Sequence, residues 1–192
     1  MSTIPERIGG QLVLALENLK YCELMCEFLL NNNSHTIPTE VRMRGVNGMA
    51  VIPGENCGFV TTPVIHAAIL DIRRFIEFLG MRYDRGNKAM VALGSPRYPD
   101  DYWIGDLGLS PVTPDEFDQL AQRMFGRDAP DMLAPIIEYA NKQMAHFSKA
   151  EGNPDFADLR SACHLLREAT LTFVYDRLGI DRPALPPNNE ES

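Results

Sequence analysis

The chain has 192 residues, 45% of them hydrophobic, and a formal net charge of −8. That length fills one good core, and the acidic balance disfavours RNA or DNA as a broad non-specific partner. No apolar run reaches the length of a membrane span, MSTIPERIGG at the start holds no apolar signal core, and none of the four cysteines forms a C-x-x-C pair, so a reduced, cytoplasmic protein with no metal and no cofactor is expected.

The first predicted helix runs over 11–30, with Leu12, Leu16, Leu19, Cys22, Met25 or Cys26, and Leu29 on its buried stripe. Gly9 and Gly10 precede it and the Asn31 to Asn33 run ends it. Cys22 and Cys26 stand one turn apart, but without a second close pair or a nearby His they read as small core hydrophobes, as do Cys57 and Cys163. Residues 34–60 lose the helical period, and Gly45, Gly48, Pro53, Gly54 and Gly58 mark a loop or short hairpin. No G-K-[ST] closes that run, so it is not a phosphate-binding loop.

Thr62-Pro63 reads as the N-cap and first residue of a second helix over 62–80, with Ile65, Ala68, Ile69, Ile72, Phe75, Ile76 and Leu79 buried and Gly80 at its end. His66 reads as half-exposed rather than as a ligand, because no partner one turn on could share a metal. Arg73, Arg74, Arg82, Arg85 and Lys88 form the one locally basic stretch, read as a solvated helix end and turn. Residues 82–112 are again irregular, with room for short strands or a helical turn. Asp100, Asp101 and Asp106 flank Tyr102 and the only tryptophan, Trp103, without the regular spacing of a cation loop.

Thr113-Pro114-Asp115-Glu116 is a capping box that opens a short helix to about Phe125, burying Phe117, Leu120, Ala121 and Met124. A longer helix over 131–148 follows, with Leu133, Ile136, Ile137, Ala140, Met144 and Phe147 on its apolar stripe and Lys142 and His146 roughly opposite. Asn153-Pro154 opens a last helix to Leu178, with Leu159, Cys163, Leu166, Thr170 and Phe173 inward and Gly179 as the stop. Arg160, His164 and Arg167 stand one turn apart on that helix and read as a surface ion network with Glu168 and Asp158. The expected fold is all-α: a bundle of four to five helices with long irregular insertions and a small β-hairpin, in one domain over 1–181, followed by a disordered acidic, proline-rich tail over 182–192.

Ala140 to His146 reads A-N-K-Q-M-A-H. This segment resembles the signature helix of the HEPN superfamily (higher eukaryotes and prokaryotes nucleotide-binding), in which many members read R-N-K-x-x-A-H. The order of helices resembles that family too. In its nuclease members, the resemblance implies, an Arg and a His act across a dimer interface on an RNA phosphodiester without metal. Here the arginine position is Ala140, while Asn141, Lys142 and His146 match. A guanidinium would grip the phosphate and an imidazole would move the proton; Lys142 offers charge without the planar two-pronged grip.

The leading expectation is a non-catalytic HEPN-like interaction or regulatory protein of a bacterial toxin–antitoxin or defence system, homodimeric, with a protein partner. One alternative is a metal-independent endoribonuclease with an altered site, using His146, Asn141 and Lys142, with Lys142 or Arg160 in place of the missing arginine. Another is a small-ligand or nucleotide binder using Arg160, His164 or the loop of Trp103.

Overall fold

The computed structural model describes residues 6–31, 40–45, 48–53, 58–141 and 155–185, with side chains placed over 9–31, 62–141 and 155–185. The described residues are mostly helical. The elements are α1 (Glu6–Asn31), strands β1 (Glu40–Gly45) and β2 (Gly48–Pro53), α2 (Gly58–Phe78), strands β3 (Met81–Asp84) and β4 (Ala89–Ala92), a single 3-10 turn (Ile104–Leu107), α3 (Pro114–Phe125), α4 (Ala129–Tyr139) and α5 (Phe156–Thr170), which continues as a π-helical turn over Leu171–Asp176. The two strand pairs are separate antiparallel hairpins, in register Val41 with Ile52 and Arg82 with Val91.

Most stripe positions fold as their spacing dictates, while Leu29, Ile65 and Met124, expected to be buried, are half-buried. Leu12, Leu16, Leu19, Cys22 and Cys26 of α1 are buried against Leu159, Ala162, Cys163 and Leu166 of α5 and against Ala68, Ile69 and Ile72 of α2. Each fully buried Leu or Ile contributes roughly 1.5–3 kcal/mol. Leu133, Ile136, Ile137 and Ala140 of the α4 stripe are buried as expected. Met144, Phe147, Gly152, Asn153, Pro154 and Cys57 lie outside the described residues.

Several boundaries differ from the expectation. Helix α1 starts before Gly9 and Gly10 rather than after them; a helical glycine costs only about 1 kcal/mol relative to alanine, which a long packed helix absorbs. Helix α2 starts at Gly58, so Thr62 is not its cap and Pro63 lies within it. That proline removes one backbone donor without ending the helix. The irregular stretches hold two hairpins rather than one. The last helix is capped by Asp155, whose carboxylate accepts the Ala157 N–H at 2.6 Å. The tail is ordered at its start: Arg182 donates to Asp176 at 2.6 and 2.9 Å, and Leu185 packs on the core. A charge pair and one apolar contact hold Arg182 to Leu185, while 186–192 lie outside the described residues.

The segment between β4 and α3 is fastened at both ends to the end of α2. Leu93 N–H donates to the Gly80 carbonyl at 2.7 Å, and Val112 N–H to the Leu79 carbonyl at 2.9 Å. Gly80 makes this possible, with φ +88° and Pro111 so close that a Cβ would stand 2.6 Å from its ring. The loop that carries Trp103 is therefore a closed excursion from one point, laid over α1 and α2.

Candidate functional site

Three polar constellations stand out, and the sequence-predicted residues are divided among them. The first is at the end of α4. Ala140 is buried, and the next residue, Asn141, is half-buried where the helix widens into a π turn. Arg73 of α2 donates from Nη1 to Asn141 Oδ1 at 3.2 Å, and from Nε to Glu77 Oε1 at 3.4 Å. A guanidinium thus stands beside Asn141, supplied by a different helix. Lys142 and His146 lie outside the described residues.

The second constellation sits between α1 and α5. Glu23 is buried, and Arg167 grips its carboxylate with Nε at 2.7 Å and Nη2 at 3.4 Å. Lys20 Nζ is 3.7 Å from the same carboxylate, and Glu168 takes the remaining Arg167 nitrogen at 2.9 Å. His164 Nδ1 lies 3.9 Å from Glu23, beyond a hydrogen bond, with its ring edge-on to Phe125. Burial pushes His164 below the usual imidazole range, so it favours the neutral form. Arg160 reaches Glu27 of α1 at 3.4 Å. Arg160 and His164 do share one face, and Glu168 is in the network; Asp158 instead pairs with Arg127 at 2.7 Å. The partners Glu23 and Glu27 come from α1, which local spacing does not reveal. Just inside this network Cys22, Cys26 and Cys163 are buried together, with Cys22 and Cys26 sulfurs 3.9 Å apart. The hydrogen bond to Cys163 and burial hold the Cys22 thiol far above the usual range, so it stays protonated and unreactive.

The third is a cleft of about 550 Å³ where the Trp103 loop meets α1 and α2. Leu12, Ala15, Phe75 and Phe78 form its apolar side, and Tyr102 and Trp103 face it from the loop. Asp71, almost fully buried, accepts from Asn18 Nδ2 at 2.9 Å and from Arg74 Nη1 at 3.2 Å. Arg97 Nη1 is 3.7 Å from Glu77 and its guanidinium stands over the Tyr98 ring. Trp103 is fixed by its own backbone, whose N–H donates to Asp106 at 3.0 Å, and by its indole, which lies so close over Gly105 that a Cβ there would be 2.5 Å away. Trp103 thus organises the tip of the loop locally, while the backbone bonds to Leu79 and Gly80 fasten its ends.

No family model matches the chain, and no curated protein or solved structure matches it.

Glu77 joins the first and third constellations. Its carboxylate meets Arg73, the partner of Asn141, and Arg97, on the wall of the cleft. Asn141, just past the end of α4, and the Trp103 cleft therefore share a polar chain through α2. The missed residues are Arg73, Glu77, Asp71 and Glu23. The only local signal was for Arg73, in the basic stretch before the first turn. Among the described residues no group of three or more His, Cys, Asp or Glu is arranged to hold a metal ion, and no helix is long and apolar enough to cross a membrane.

Proposed function

We propose that this protein is a non-catalytic, HEPN-like helical interaction or regulatory module. The observation that carries this reading is the burial of Ala140. The position that would hold the family's phosphate-gripping arginine is a core position on the α4 stripe, packed with Ile136 and Ile137. A cation at that position would start from a buried, apolar setting that disfavours its charge. The resemblance adds the rest of the reading: a cytoplasmic homodimer of bacterial type, engaging a protein partner through the motif helix.

The test is RNA cleavage in the presence of a chelator. Wild type and His146→Ala are incubated with single-stranded RNA and transfer RNA. Equal, background turnover is expected. Rapid metal-independent cleavage that disappears in His146→Ala would overturn the reading.

One contact favours the ribonuclease as a second reading. Arg73 donates to Asn141 at 3.2 Å, so a guanidinium from α2 stands next to the motif that lacks its own. Arg160, the replacement suggested by sequence, is engaged with Glu27. In this reading Arg73 grips the phosphate and His146 moves the proton. Cleavage lost in both Arg73→Ala and His146→Ala, and retained in Arg160→Ala, is its distinguishing result.

A further inference from the structure

We propose that the cleft between α1, α2 and the Trp103 loop binds a small organic cation, an alkylammonium or guanidinium compound with an apolar body. This does not depend on whether the motif helix cleaves RNA.

The cleft has the size of a small-molecule site, about 550 Å³. Its walls mix apolar side chains with aromatic ones, Phe75, Tyr102 and Trp103. The charge on the lining decides the sign of the ligand. Asp71, Glu77, Asp100 and Asp101 contribute four carboxylates, against the two guanidiniums of Arg74 and Arg97. Arg74 is held by Asp71 and Arg97 stands near Glu77. Among the described residues no cation pairs with Asp100 or Asp101. The lining therefore carries an excess of two carboxylates, and a cation meets Asp100 and Asp101 on the rim with aromatic surface behind them. Aromatic faces attract cations through the ring quadrupole, and tryptophan does so best.

The loop is also prepared in advance. Its ends are fastened at Leu79 and Gly80, Trp103 is seated on Gly105, and Asp101 Oδ2 accepts the Tyr98 N–H at 3.2 Å. A fixed aromatic and a fixed carboxylate lower the ordering cost of binding.

Trp103 is the only tryptophan of the chain, so its emission reports on this cleft alone. The experiment titrates the full chain with agmatine and with tetramethylammonium at constant ionic strength, using succinate and neutral tert-butanol as controls. Saturable emission changes are expected with the two cations and not with the controls. The Asp100→Asn/Asp101→Asn variant should bind roughly tenfold more weakly or worse, the size of a lost hydrogen bond to a charged group. Its asparagine oxygen at 101 still accepts the Tyr98 N–H, so the loop should stay in place. Asp131→Asn, an exposed carboxylate on α4 outside the cleft, should bind as wild type. A second measurement needs no variant: the cation affinity should fall as sodium chloride is raised. No saturable response to either cation, saturation by succinate, a tert-butanol response equal to that of tetramethylammonium, or unchanged affinity in the double variant would overturn the proposal.

Discussion

Arg73 and Asn141 are 68 positions apart in the chain, and their side chains meet at 3.2 Å. The contact places a cation from α2 against the polar residue that follows buried Ala140. It also ties the end of α4 to Glu77, and through Glu77 to Arg97 at the cleft. If the proposed reading as a non-catalytic module holds, Arg73→Ala and wild type should show the same background RNA turnover. If wild type does cleave, Arg73→Ala should lower the rate by about 10²–10³, the usual cost of a lost preorganised donor, and Arg73→Lys should restore little of it. Single-turnover cleavage rates check both.

The α3 cap makes a prediction about acid stability. The Thr113 backbone N–H donates to Glu116 at 2.8 Å and the Thr113 hydroxyl at 2.9 Å, while Arg177 adds a bond at 2.7 Å. Together they hold the Glu116 carboxyl below its ordinary 4.5, the backbone bond most of all. The unfolded chain therefore binds this proton first. Stability from the cap is complete above 4.5 and is lost as pH falls through the lowered value. Glu116→Gln should flatten the drop in melting temperature on the acid side. Thr113→Ala should cost about 1 kcal/mol at neutral pH as well. Thermal melts at about pH 7 and about pH 3 check the sign.

Local chemistry carried most of the fold. The capping box at Thr113, the αL glycines at 80, 126 and 179, and the stripes of α1, α2 and α5 involve residues within a turn or two of each other. Residue order within a few positions shows such features. The hairpins were harder, because strands of four to six residues among glycines have too few positions for a period to emerge. The site contacts were hidden for a different reason. Glu23 and Arg167 are 144 positions apart, and Asn18 and Asp71 are 53 apart. No local pattern names such partners. Trp103 was singled out by sequence, but the cleft it faces exists only once α1, α2 and the loop are together.

Gly80 should tolerate no side chain. Its φ of +88° is one that only glycine adopts cheaply, and a Cβ would stand 2.6 Å from Pro111. Gly80→Ala is expected to lose about 1–2 kcal/mol from backbone strain alone, with more from the clash. Because Gly80 and Leu79 fasten the Trp103 loop, the same variant should shift Trp103 emission. Urea unfolding together with emission spectra distinguishes it from a purely global loss, since the native baseline itself would move.

Glu23 should be the most costly charge to remove. Its side chain is 7% exposed and faces Arg167, itself 12% exposed, as well as Lys20. Taking away the carboxylate removes the acceptor of Arg167 Nε and Nη2 in a poorly solvated place and leaves Glu168 as the carboxylate still paired with that guanidinium. Breaking one partner of a buried pair typically costs about 3–5 kcal/mol. Glu23→Ala should therefore destabilise by that order. Replacing both members, as Glu23→Met with Arg167→Met, removes the guanidinium whose Nε and Nη2 have lost their acceptor and should recover part of the loss. A double-mutant cycle by urea unfolding should return a coupling of roughly 0.5–3 kcal/mol. A coupling near zero would mean that the two side chains stabilise the α1–α5 contact through packing and not through charge.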